Sequence, residues 1–264
     1  MLRKDVKLLC TMFFREELLP GQEKIVRAIA FAESNRIVIS AYTRYGKSWS
    51  VAMGVLLYIF LHDNKKINLI GPRYDQTGIL RNYISTFILR SQQLTDLLSI
   101  DLTGPERLQK EISRKRITFL NGCELRILSA EGSGERLMGW GGDLIVLDES
   151  CLIKFEVYRQ KISRMLGDQA DAVLVEIGNP WHRDNQMYEH WCDPDFLKIH
   201  IGWEQGVREG RTSKEYIEEQ EELLTEVEFM ILYKAEFPEE TEDQLIPEAW
   251  MQLAVKKTYR KVVF

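Results

Sequence analysis

Arg36-Ile-Val-Ile-Ser-Ala-Tyr-Thr-Arg-Tyr-Gly-Lys-Ser-Trp49 is the stretch whose reading decides the fold. Arg36 to Ser40 is a β-branched run of strand length, and Trp49 to Leu61 is apolar and of helical length. Between them, Ala41 to Ser48 matches G-x-x-x-x-G-K-[ST] at every defined position but the first, where Ala41 stands for Gly. A bare Gly-Lys-Ser is weak, but this one follows a strand and opens a helix, the context that the motif requires. Such a loop curls backbone N–H groups around a phosphate, bridges its oxygens with a lysine, offers a small hydroxyl to Mg²⁺, and points a helix N-terminus at the negative charge. Gly46, Lys47 and Ser48 supply these parts in order. The expected cofactors are ATP and Mg²⁺, and the expected nucleotide-contacting set is Ala41, Tyr42, Thr43, Arg44, Tyr45, Gly46, Lys47, Ser48 and Trp49. An ordinary strand-to-helix turn with a solvated lysine is the simpler alternative.

Asp143-Leu-Ile-Val-Leu-Asp-Glu149 weighs against that alternative. A continuous apolar run reads as a strand buried on both faces, and it ends in two adjacent carboxylates. Strand alternation is expected to send them in different directions, which gives them different tasks. Asp148, with Ser48, is the candidate metal ligand, and Glu149 the candidate base that orients and deprotonates a water. A capping pair at a strand end is the simpler reading. Because small GTPases and kinases need not place a Glu directly after the metal-binding Asp, the pair favours ATP hydrolysis over phosphoryl transfer to a substrate.

Working outward, Leu2 to Leu19 and Gln22 to Glu33 read as helices punctuated by Pro20-Gly21. Lys66 to Gly71 is the next strand, and Tyr74 to Gln92 a helix with Ile79, Tyr83, Phe87 and Ile88 on one face. Asn121-Gly122 between Arg116–Leu120 and Glu124–Ser129 is a hairpin signal, an antiparallel excursion from the βα rhythm. Ala172 to Ile177 and Phe196 to Ile201 read as further buried strands, and residues 212–237 as Glu-rich and helical. The expected fold is α/β, a P-loop NTPase of the ASCE type: a three-layer sandwich with a mostly parallel central sheet and an antiparallel addition. Three segments are expected: an N-terminal helical segment (1–35), the P-loop core (36–210), and a C-terminal helical subdomain (211–264) that begins a linker.

The 264 residues are enough for one large domain without staples, and 45% hydrophobic with 28% charged residues is a globular balance. The run Val51 to Leu61 is too short to span a bilayer, which needs about 20 apolar residues. The charged start lacks a secretion signal, so an intracellular chain is expected. Cys10, Cys123, Cys151 and Cys192 form no C-x-x-C pair, and His182, His190, Cys192 and His200 fit no zinc spacing. Net charge is -5, but residues 1–128 hold 20 Lys and Arg against 12 Asp and Glu, while the rest hold 15 against 28. A basic first half suits phosphate tracking, although solvated faces explain charge runs more often.

The order of motifs resembles the ATPase domain of the large terminase subunit, the DNA-packaging motor of tailed bacteriophages. The resemblance is carried by Pro20-Gly-Gln22, by Arg44 inside the phosphate loop, by Leu-Ile-Val-Leu-Asp-Glu149, by Ile-Gly-Asn-Pro180, and by Tyr233-Lys-Ala-Glu-Phe-Pro238 with Leu245-Ile-Pro247. It implies that Gln22 reads the adenine edge and that Gly178-Asn179-Pro180 senses the γ-phosphate. It also implies a homo-oligomeric ring, with the isolated domain a monomer, in which an arginine completes a neighbour's site. Arg136 is the candidate for that finger, and Arg44, acting in cis, competes. The implied partners are double-stranded DNA, the portal protein of the procapsid and a small terminase subunit; the implied place is the host cytoplasm, with no membrane.

Such subunits usually carry a nuclease after the motor, but past Pro247 only a short helix, Glu248 to Lys256, and a basic tail are expected, and no nuclease activity. Candidate DNA contacts are Lys110, Arg114, Lys115 and Arg116, with Arg73, Arg81 and Arg90. Two other readings stay open: a nucleotide-gated module that binds DNA or the portal with little turnover, and a helicase-like translocase.

Overall fold

The computed structural model describes residues 5–98 and 116–239. Within them, β1 (Arg36–Ala41), β2 (Lys66–Gly71), β3 (Arg116–Thr118), β4 (Glu124–Ser129), β5 (Leu144–Asp148), β6 (Val173–Gly178) and β7 (Leu197–Ile201) form one sheet, in the order β3-β4-β2-β5-β6-β1-β7. Every neighbouring pair is parallel except β3 and β4, which pair antiparallel across the Asn121-Gly122 turn. The turn is held from outside, because Asn121 Nδ2 donates to the carbonyls of Ile59 and His62 at 2.6 and 2.9 Å. The expected P-loop sandwich with its antiparallel addition is therefore the fold observed. β6 lies between β1 and β5, so the strand before the phosphate loop and the strand before the carboxylates are two strand spacings apart, roughly 10 Å.

Alternation along the strands divides the interior in two. On one face Ile37, Ile39, Leu69, Val146 and Val175 pack against α1 (Val6–Phe14), α2 (Pro20–Ala30), α3 (Lys47–Leu61), α4 (Tyr74–Arg90) and α5 (Gln92–Asp96). On the other, Val38, Ile70, Ile145, Leu147 and Leu174 lie under the helical run of residues 155–165 and α6 (Gln186–Cys192). Two buried faces explain why the central strands read as unbroken apolar runs. Gly54 of α3 lets α2 come close, since a Cβ there would stand 2.9 Å from Ile29 Cβ.

The chain then passes through α7 (Trp203–Arg208), α8 (Lys214–Leu223) and α9 (Glu226–Phe229), the last continued by a wider turn over Met230–Lys234. Phe229 and Tyr233 enter the first core and Phe237 the second. Ser40 Oγ donates to Ala235 O at 2.7 Å, and Thr43 N to Leu232 O at 2.7 Å. This segment is thus sewn to the end of β1 and to the phosphate loop.

Several expected boundaries move for identifiable reasons. α1 stops at Phe14, because Arg15 takes a left-handed φ of +58°. α2 starts at Pro20, a residue suited to a first helical turn. The helical stretch 212–237 breaks at Leu224-Thr225, where Thr225 caps the next helix through the Glu228 N–H. On α4 the buried stripe is Leu80, Ile84, Phe87 and Ile88; Ile79 and Tyr83 are exposed. Among the described residues, no helix is long and apolar enough to cross a membrane, and no group of His, Cys, Asp and Glu is arranged to hold a metal ion.

Candidate nucleotide site

The phosphate loop joins β1 to α3. Ala41 is the last residue of β1 and has no positive φ, so the missing glycine costs no backbone strain there. Positive φ falls instead on Arg44, at +62°, and on Gly46, at +102°. The loop is tied down by its own side chains and by three of its N–H groups. Tyr42 and Tyr45 are buried, with ring centroids 5.4 Å apart. Tyr42 fills the space that a side chain at Gly206 would need, and Tyr45 OH donates to Glu209. The N–H groups of Tyr42, Thr43 and Tyr45 go to the carbonyls of Ile201, Leu232 and Tyr42. The N–H groups of Arg44, Gly46, Lys47 and Ser48 have no protein acceptor among the described residues, the last two because the first turn of a helix offers none. Of the expected contact set, these four and Trp49, also in the first helical turn, carry the free donors, and the Trp49 ring packs edge-on against Phe87.

Lys47 Nζ lies under the loop and donates to Ala41 O at 2.8 Å and to Asn179 Oδ1 at 2.7 Å. Burial lowers its pKa to about 8, against the upward pull of Glu149 and Asp148. Asp148 ends β5 on the face toward α3, with only 6% of its surface exposed. Burial first, then the neighbouring Glu149, raises its pKa to about 7, opposed by Lys47. The expected divergence of the two carboxylates by strand alternation does not apply, because the strand stops at Asp148, and both carboxylates act on Lys47. Glu149 has φ +49° and ψ +48° and starts a short turn, Ser150–Leu152. This left-handed step is uncommon for a residue with a Cβ. It is seated on β6: a Cβ at Gly178 would come within 3.2 Å of Glu149 Cα and of Ser150 N.

Beside the loop lie two cavities that share Gly46 and Arg211. One, of about 450 Å³, is lined by Glu16, Glu17, Leu19, Gln22, Trp49 and Gly210 as well. The other, of about 430 Å³, adds Tyr42, Thr43, Arg44, Tyr83, Thr212 and Tyr216. Gln22 is buried at the floor of the first, accepting from Leu19 N at 3.1 Å and donating to Tyr45 O at 3.2 Å. Glu209 accepts from Gly21 N at 3.0 Å and from Tyr45, which joins the start of α2 to the phosphate loop. Arg211 donates to Arg44 O at 3.2 and 3.3 Å. Glu209 and Arg211 were not expected from sequence; they follow a short helix in no motif, and no local signal marks them.

Arg136 is exposed on a short turn, Glu135–Leu137, in the glycine-rich loop between β4 and β5, and no group among the described residues partners its guanidinium. Among the candidate DNA contacts, Lys110, Arg114 and Lys115 lie outside the described residues. Arg116 pairs with Glu124 at 2.7 Å. Arg73 and Arg90 stand at opposite ends of α4, about 25 Å apart at 1.5 Å per residue, so those cations are not one cluster.

Residues 39–253 match the family described as "Terminase large subunit, T4likevirus-type, N-terminal". The chain belongs to that family. Solved terminases share the fold. The large terminase ATPase domain of Thermus phage P74-26 superposes with a TM-score of 0.69 at 21% identity, covering 86% of this chain and 97% of that one. The large terminase of bacteriophage HK97 gives 0.67 at 17% identity, over 89% and 55%. The large terminase of a thermophilic bacteriophage, solved with ADP, gives 0.60 at 14% identity, over 83% and 54%. The terminase chain thus spans about half the length of the last two proteins. No curated protein sequence matches it closely.

Proposed function

We propose that this chain is the ATP-hydrolysing motor domain of a large terminase subunit, which drives double-stranded DNA into a viral procapsid. The observation that carries the reading is the convergence of Lys47, Asp148, Glu149 and Asn179 at the carboxyl ends of β1, β5 and β6, beside unpaired N–H groups. Family membership and the likeness to a terminase ATPase domain and to a large terminase solved with ADP support it.

In this reading the N–H groups of Arg44, Gly46, Lys47 and Ser48 hold the β- and γ-phosphates, and the Lys47 ammonium neutralises charge as it builds on the transferred group. The adenine lies in the cavity over Gln22, whose amide has one donor and one acceptor position left after its two protein bonds. Ser48 and Asp148 fit Mg²⁺: the Ser48 hydroxyl has no protein partner among the described residues, and Asp148 is a buried carboxylate with no side-chain donor among them. When bound, Mg²⁺ neutralises phosphate charge. Glu149 orients the attacking water and takes its proton. Asn179, on Lys47 here, exchanges that contact for one to the γ-phosphate and so registers its loss. Arg136, exposed and unpaired among the described residues, is presented to a neighbouring subunit of a ring, whereas Arg44 acts within its own site. The portal protein, a small terminase subunit and the host cytoplasm belong to the same reading.

Phosphate release measured with and without double-stranded DNA tests it. Glu149→Gln is expected to lower turnover by at least about 10³-fold while nucleotide still binds, and turnover that survives the substitution would rule out the assigned base.

A further inference from the structure

Glu176 is a carboxylate with no exposed surface, one strand away from the catalytic turn and outside the nucleotide site. It sits on β6 opposite Leu147, on the face away from α3. Ser150 Oγ donates to its Oε1 at 2.7 Å, and His190 Nδ1 donates to its Oε2. His190 is in turn held by stacking on Phe196, with centroids 4.3 Å apart, and by a 3.4 Å contact from its Nε2 to Tyr158 OH. Ser150, itself fully buried, is gripped a second time, because Gln186 Nε2 donates to its carbonyl at 2.7 Å and to its hydroxyl at 3.1 Å.

The residue so gripped is the one that follows Glu149. Glu149 occupies a left-handed backbone conformation that costs a residue with a Cβ of order 1–3 kcal/mol and persists only where the surroundings over-determine it. The peptide after it rests on Gly178 of β6, and the side chain after it is bonded to Glu176 of the same strand, two residues earlier. A buried carboxylate is an expensive way to hold a serine unless the exact placement of the turn matters.

We infer that Glu176 is a positioning residue for Glu149: through Ser150 it pins the left-handed turn to β6, so that the Glu149 carboxylate faces the nucleotide. The inference rests on Glu149 being the base that activates water. Glu176 touches neither water nor nucleotide. It acts on the rate of the chemical step and leaves nucleotide affinity alone, because its side chain is bonded to Ser150 and His190, on the sheet face away from the phosphate loop and the Gln22 cavity.

The experiment compares ATP turnover, KM for ATP and affinity for a fluorescent ADP analogue in the native chain and in Glu149→Gln, Ser150→Ala, Glu176→Gln, Glu176→Met and the Ser150→Ala/Glu176→Met double variant. Ser150→Ala and Glu176→Met each are expected to lower kcat by about tenfold or more, since small misplacements of a reacting group are costly, with KM and ADP affinity within about twofold of native. Glu176→Gln keeps an acceptor for Ser150 and, with His190 in its other tautomer, a partner there; its kcat is expected within about threefold of native. The double variant is expected to be no slower than the slower single, because the Ser150–Glu176 contact that pins the turn is lost in both. Native-like kcat in Ser150→Ala, or kcat and nucleotide affinity falling together, overturns the inference. Ser150→Ala removes a single oxygen and keeps the test valid should Glu176→Met fail to fold. If Glu149→Gln is inactive and Ser150→Ala is native-like, only the positioning role falls; if Glu149→Gln retains turnover, the assignment of the base falls and this inference with it.

Discussion

Two loops leave the carboxyl ends of strands in the same sheet, each with a glycine-borne turn and an arginine, and they are built in opposite ways. The phosphate loop buries both its tyrosines, commits three N–H groups to carbonyls of its own chain, and has the Arg44 carbonyl held by Arg211. The loop from residue 130 to 142 is anchored at its ends, by Ala130 N on Gly71 O, by Asn68 Nδ2 on Gly141 O and by the Arg126 guanidinium over the Trp140 ring; between them Gly134 lies close against Val157, while Glu131, Glu135, Arg136 and Met138 are exposed. Anchoring of the first kind suits a loop that meets its ligand within the chain. A loop of the second kind leaves its arginine exposed, as the proposed role in a neighbouring site requires.

The largest effect that would break this contrast is kinetic. Arg136→Ala is expected to cut turnover by about 10³-fold in assembled rings while leaving the turnover of dilute, dissociated chain unchanged. Arg44→Ala should reduce turnover under both conditions. A concentration series of phosphate release for each variant decides the matter, and equal losses for both at low concentration would place Arg136 in its own chain's site.

An intermediate effect concerns the charge stored beneath the anchored loop. Asp148 has a folded pKa raised to about 7 from an ordinary 3.8, so between these values the folded chain holds a proton that the unfolded chain has lost. Stability in magnesium-free buffer is therefore expected to fall as pH rises from 4 to 7. Lys47, lowered to about 8 from 10.5, works in the other direction and restores stability above pH 8. Asp148→Asn should flatten the decline between pH 4 and 7 and raise the melting temperature at pH 7.5 by several degrees; thermal scans across pH check both.

The smallest effect tests the anchor itself. Tyr45→Phe removes one hydrogen bond to Glu209, which keeps Gly21 N and Gln205 as partners. A loss of about 1 kcal/mol in a denaturant titration is expected, with a few-fold rise in KM for ATP and little change in kcat. A kcat loss as large as the KM change would mean that the loop's position governs chemistry as well as binding.

Parts of this arrangement were legible in the sequence because they are local. Ala41 to Ser48 names its own turn, Asn121-Gly122 its hairpin, and Leu144 to Asp148 a strand buried on both sides. The stripe on α4 was not legible: Ile79 and Tyr83 are as apolar as Leu80 and Ile84, and only the sheet beneath selects between sets one residue apart. The orientation of Glu149 escaped because alternation governs strands, and the strand ends one residue earlier. Glu209 and Arg211 meet Tyr45 and Arg44 across about 165 residues of chain, a pairing that no short window contains.

The stitching of the C-terminal segment to the phosphate loop has a mechanical consequence. Leu232 O takes the Thr43 N–H and Ala235 O takes the Ser40 hydroxyl, just ahead of Glu236-Phe237-Pro238. Tension applied to the polypeptide beyond Pro238 would meet the Phe237 ring, packed on Tyr188 and Trp191, and then pass to Ser40 and Thr43 through one hydrogen bond each. Load and nucleotide would then meet at one short piece of backbone, and resisting the pull would bear directly on the grip around the phosphates.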